Sequence, residues 1–152
     1  MLVYGTNSKV LRQATIKQYK NQELPRASSH LVVAMRFYPR FLKKELRDEF
    51  LCHLAPEKQL LKEFNEAQKK LNDHNAAFAH VSYNSRFELD ENALSDLKRL
   101  AELSHDKEVY LACVCAMKEM CHREILLLTA KKLFKCEIAD VYHKYPEFIE
   151  KL

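Results

Sequence analysis

The chain of 152 residues holds a single glycine, Gly5, and no tryptophan. One glycine excludes every glycine-rich phosphate loop, so neither a G-x-G-x-x-G fingerprint nor a Walker motif can be present. No apolar run reaches the ~18 residues that a membrane span needs, and no signal-peptide pattern opens the chain. Five cysteines are an odd number, and in a chain of this size they do not suggest a disulfide framework. A reducing cytoplasm is the expected location, with no membrane partner. The formal charge of +4 is mild: it permits an anionic partner, but solubility alone explains it equally well. No internal repeat, linker or low-complexity stretch divides the chain. The expectation is one α/β domain over residues 1–152, with 1–26 the hardest part to read. Within that segment residues 2–4 suit an edge strand and residues 5–8 a turn.

What the chain does contain is concentrated late, in residues 108–134. Residues 109–115 form a short apolar run of β-branched, aromatic and cysteine side chains bounded by charge, as in a strand buried on both faces. Alternation along such a strand points Cys113 and Cys115 the same way. Residues 125–134 are too long and too evenly apolar for a strand and read as a helix, with Cys121, His122 and Arg123 in its first turn and 116–120 as the connecting loop. No Ser, Thr, Asp or Asn occurs between Ala116 and Arg123, so the usual N-cap side chains are missing. The first helical N–H groups are then free for an anion or a thiolate. Cys121 gains further from the adjacent Arg123.

Residues 31–37 (LVVAMRF) read as a second buried strand, stopped by Pro39. If the two strands are parallel, Arg36 and Arg40 share a rim with the cysteines and Arg123. Helices are expected at 41–53 (Leu42, Leu46, Phe50), from Pro56 to Leu71 (Leu60, Leu61, Phe64, Ala67), at 76–87, and at 91–103 behind an Asp90 cap. Residues 138–142 suit a short last strand before a helical tail. His53, His74, His80 and His105 read as surface or helix-end residues. The alternation of helices with strands predicts a mainly parallel central sheet flanked by helices, a Rossmann-like three-layer arrangement.

Three landmarks together resemble the domain-of-unknown-function 488 family, especially its YeaO-like branch. They are LVVAMRFYPRFLKKEL at 31–46, HLAPEKQLLKEF at 53–64, and Cys113-x7-Cys121-His122-Arg123. The resemblance covers roughly residues 27–145. It implies a compact α/β domain with a pocket around the Cys-His-Arg turn and no settled activity. Many members carry Glu two residues after the first motif cysteine. Here that residue is Cys115, and the extra thiol invites a metal or redox reading.

Three functions compete. The first is a pocket for an anionic small molecule, phosphorylated or nucleotide-like, in a Cys-dependent enzyme. Arg36, Tyr38, Arg40 and Arg123 would bind the ligand, Cys121 or Cys113 would be the nucleophile, and His122 the base or acid. A phosphatase-type C-x5-R loop from Cys115 is excluded, because Cys121 stands where the arginine belongs. The second is a metal centre of Cys113, Cys115, Cys121 and His122. Against it stand the unusual C-x-C spacing and the ~100° by which adjacent side chains diverge on a helix. The third is a nucleic-acid module built on Arg36-Phe37-Tyr38-Pro39-Arg40, where basic and aromatic residues alternate.

Overall fold

The computed structural model describes residues 9–152. The edge strand and turn expected at 2–8 lie outside the described residues. The sheet has four strands, all parallel, in the order β1-β4-β2-β3. These are β1 (Leu11–Thr15), β2 (Ser29–Val33), β3 (Glu49–Phe50) and β4 (Glu108–Cys113). The helices are α1 (Ile16–Lys20), α2 (Lys58–Leu71), α3 (His74–His80), α4 (Tyr83–Arg86), α5 (Glu91–Leu103), α6 (His122–Phe134) and α7 (Pro146–Ile149). The architecture is the expected three-layer α/β arrangement, and the two apolar runs at 31 and 109 are parallel neighbours, Leu31 opposite Tyr110.

Alternation along β4 divides the core. Val109 and Leu111 pack with α2 to α7, while Tyr110 and Ala112 face the smaller second cluster of Ile16, Tyr19, Leu31 and Leu42. The sheet is therefore covered on both faces, as a parallel sheet must be.

Several expected elements differ. The strand at 31–37 ends at Val33; the Ala34 N–H still donates to Ala112 (2.9 Å), and the chain then leaves the sheet. The helix expected at 41–53 is absent. In its place stand a 3-10 turn at Lys44–Leu46, the edge strand β3 and a second 3-10 turn at Cys52–Leu54. Leu42 and Leu46 do face a core, but the second one, and residues 49–50 complete the unpaired edge of β2. The helix expected from Pro56 begins at Lys58, with the Glu57 carboxylate accepting from the Gln59 and Leu60 N–H groups. The stretch 76–87 is two helices, because Asp73 caps α3 and Ser82 at positive φ breaks the run. Asp90 caps α5 as expected. The last strand shrinks to a single bridge, Ile138 to Leu11, because Asp140 turns the backbone to positive φ. No helix among the described residues is long and apolar enough to cross a membrane.

Candidate functional site

β4 ends at Cys113, and the loop 114–120 carries the chain across the carboxyl end of the sheet into α6. Open α/β sheets place their ligands at this end. Three bonds from α3 and within the loop hold it. His74 Nε2 donates to Met120 O (2.8 Å), Asn75 Oδ1 accepts from Met120 N (3.0 Å), and Glu119 Oε1 accepts from Ala116 N (2.8 Å). His74 starts α3, the helix-end position expected of it, with its side chain only 8 % exposed.

Cys121 is the N-cap of α6, with extended backbone (φ −156°, ψ 153°), and no side chain caps the helix. The missing cap residue expected from 116–123 is thus a feature of the fold. Cys121 also lies outside the helical turn, so the ~100° divergence of adjacent helical side chains does not apply to Cys121 and His122. Their side chains converge: Cys121 Sγ is 3.6 Å from His122 Nδ1. His122 Nε2 donates to Ala34 O (2.6 Å), which assigns the proton to Nε2 and turns Nδ1 toward the sulfur. Cys115 lies beyond the strand rather than on it, yet its Sγ is 3.8 Å from that of Cys113. Ligand atoms of Cys113, Cys121 and His122 all lie within 4.8 Å of one another, and all three residues are buried.

Burial pushes the Cys121 thiol up, but hydrogen bonds with Cys113 and Cys115 and the nearby guanidinium of Arg123 outweigh it and hold it well below the ordinary cysteine value. Cys113 shows the reverse: the hydrogen bond with Cys115 lowers it, while the bond with Cys121 and burial push it up to about 12. Cys115 is raised as well, first by its bond with Cys113.

Arg123 is completely buried. Its guanidinium donates to Ala14 O at the end of β1 (2.6 Å) and to Ala116 O in the loop (3.0 Å). Its Nε finds no partner among the described residues. Arg123 therefore ties β1, the loop and the thiol corner together from behind. Tyr145 OH accepts from Cys121 N (3.2 Å) and donates to Glu124. Glu124 is fully buried and also receives His143 Nδ1 (2.8 Å), Tyr142 N (2.6 Å) and Gln13 Nε2 (3.2 Å). Sequence reasoning missed Glu124, Tyr145 and Gln13. An acidic residue in a first helical turn reads as ordinary dipole complementation, and nothing in the pattern marks its partners.

A cavity of about 350 Å³ opens on the corner. Cys113, Cys115, Cys121 and His122 line one part of it; Phe64, Phe78 and Tyr83 form aromatic wall, and Asn65, Gln68 and Glu119 supply polar groups. Arg36 lines it too, with its guanidinium held by Pro56 O (3.0 Å) and Ala55 O (3.2 Å). The other two residues of that segment lie elsewhere. Tyr38 packs edge-on against Phe50 beneath Arg47 and belongs to the second core cluster, and Arg40 is exposed. The structure thus joins Arg36, Cys113, Cys115, Cys121 and His122 at one cavity, sets Arg123 behind it, and leaves Tyr38 and Arg40 outside its lining.

No curated protein and no solved structure matches the chain. Residues 14–132 match the family model described as the active DUF488-N3 subclade, a match that shows the family without identifying the YeaO-like branch. With the Cys113-x7-Cys121-His122-Arg123 landmark inside the matched residues and most of the chain covered, the protein belongs to the domain-of-unknown-function 488 family.

Proposed function

We propose that the protein is a cysteine-dependent enzyme acting on a small molecule that enters the cavity and meets the Cys113–Cys121–His122 corner. The observation that carries this reading is positional. The clustered thiol and imidazole groups line a mainly apolar cavity at the carboxyl end of a parallel sheet, where ligands of such folds bind. Cys121 is the electron-pair donor of the site, and His122 Nδ1, 3.6 Å from its sulfur, brings a second lone pair to the same corner. The aromatic wall of Phe64, Phe78 and Tyr83 suits a flat or apolar substrate body, and Asn65 and Gln68 can orient its polar edge. Arg36 and the uncapped first turn of α6 favour a negatively charged substituent, so phosphorylated or nucleotide-like compounds remain the first class to test.

Val114 is 59 % exposed and lines the cavity, so Val114→Trp narrows the cavity without touching the core. In a thermal-shift screen of nucleotides, sugar phosphates and flat heterocycles, a genuine ligand raises the melting temperature of the wild type and fails with Val114→Trp. Ligands that stabilise both proteins equally would rule out the cavity.

A further inference from the structure

Cys113 at the end of β4 and Cys121 and His122 at the start of α6 bring their donor atoms together, with Cys115 of the loop beside Cys113. Around a tetrahedral zinc ion, with Zn–S of about 2.3 Å and Zn–N of about 2.0–2.1 Å, two thiolates stand about 3.8 Å apart and a thiolate and an imidazole nitrogen about 3.6 Å apart. Cys113 Sγ and Cys115 Sγ are 3.8 Å apart. Cys121 Sγ and His122 Nδ1 are 3.6 Å apart. Cys113, Cys121 and His122 close the set within 4.8 Å.

The outer partners fit as well. A metal-bound histidine holds its other ring nitrogen to a carbonyl or carboxylate, which fixes the tautomer. His122 does this through Nε2 to Ala34 O, leaving Nδ1 for the ion. Two or three thiolates around a divalent cation leave the centre neutral or singly negative, and the buried guanidinium of Arg123 lies behind them as countercharge. Its unpartnered Nε is a buried donor next to that charge.

We infer that Cys113, Cys121 and His122 bind a thiophilic divalent cation of the zinc class, with Cys115 beside the fourth position on the cavity side. Thiolate and imidazole together select such an ion over magnesium or calcium, which take oxygen donors. Cys115 is half-buried in the loop, so it is the ligand that a substrate group arriving through the cavity displaces. This inference rests on the reading of the corner as the functional site and specifies to what Cys121 donates its electron pair.

The test uses the full chain, stripped with a chelator and titrated with Co2+ and Zn2+. Wild type and Cys52→Ser take up one ion per chain, and Co2+ gives thiolate charge-transfer absorption. Cys113→Ser and Cys121→Ser lose affinity by more than the roughly 10–100-fold that loss of an outer partner costs. Cys115→Ser keeps the ion with a weaker charge-transfer band. A measurement that needs no variant runs beside it: Zn2+ protects Cys113 and Cys121 of the wild type from alkylation, read by mass spectrometry, and chelation exposes them. Trace occupancy in wild type, undiminished binding by Cys121→Ser, or alkylation indifferent to Zn2+ would each overturn the inference. The screen with Val114→Trp separates it from the reading it rests on. A cavity ligand bound by a chain that takes no metal sinks the metal alone; metal uptake without any cavity ligand sinks the substrate reading and leaves the metal standing.

Discussion

The guanidinium of Arg123 donates to the carbonyl of Ala14 at 2.6 Å, joining the first turn of α6 to the end of β1 across 109 positions of sequence. With the second bond to Ala116 O, one side chain satisfies two buried carbonyls and anchors the loop that carries Cys115. Arg123→Ala leaves both acceptors unpaired, and each costs about 1–3 kcal/mol. The variant should lose roughly 2–6 kcal/mol, which at ~2–4 °C per kcal/mol is a clear drop in melting temperature. Lysine cannot reproduce a two-pronged donor, so Arg123→Lys should recover less than half of the loss. Thermal melts of the three proteins check this, and an unchanged melting temperature in Arg123→Ala would remove Arg123 from the framework.

Tyr145 is the link between Cys121 and the buried Glu124. Tyr145→Phe removes the acceptor of Cys121 N–H and one donor to Glu124, so a loss of about 1–3 kcal/mol is expected from chemical denaturation. Because the phenol positions Cys121, ligand or metal affinity should fall as well. A stability loss with full affinity would show that Cys121 is held in place without the phenol.

His74 acts more locally. Its Nε2–H to Met120 O and the ring's place in the cavity wall predict that His74→Ala frees residues 116–120 while the sheet stays intact. Hydrogen exchange should quicken in that loop and α3 and stay unchanged in β4. Uniform acceleration would mean that His74 supports the whole fold.

The edge of the sheet carries a pH dependence. Burial raises Asp48 and Glu49, but Arg26 and Leu31 N–H on Asp48, and Arg99 and His30 on Glu49, outweigh it, and both carboxylates sit below their ordinary values. A depressed carboxylate stabilises the fold above its unfolded pKa, about 4, and that contribution disappears as the pH falls through the lower folded value. Melting temperature should therefore fall with acid below pH ~4, and the fall should be shallower in Asp48→Asn and Glu49→Gln. Equal acid sensitivity in all three proteins would place the titration elsewhere.

How far the sequence spoke depended on whether a residue's signal was local. The runs at 31 and 109 announced strands because both faces of each are buried, leaving continuous apolar stretches. Cys113, Cys115, Cys121 and His122 announced a site because one strand–loop–helix unit carries them all. β1 gave no signal: Arg12 and Gln13 interrupt it, and Gln13 is buried only because Glu124 and Asp140 O, more than 100 residues away, accept its amide. Leu42, Leu46 and Phe50 keep a four-residue spacing that helices also use, yet an edge strand and two turns place all three against the second cluster. Arg40 reads as a rim residue if the strand runs on to Pro39, but the strand ends at Val33, and the chain after Met35 carries Tyr38 to Phe50 instead.

The proposed function requires the thiol corner and the cavity to work as one site. The most direct measurement is ligand-induced stabilisation of wild type, Cys121→Ser and Cys52→Ser side by side, with any compound that Val114→Trp fails to bind. The predicted result is a melting-temperature rise shared by wild type and Cys52→Ser and lost, or cut at least in half, in Cys121→Ser. An equal rise in all three proteins would mean that the cavity holds its ligand without Cys121, and the proposed function would be contradicted.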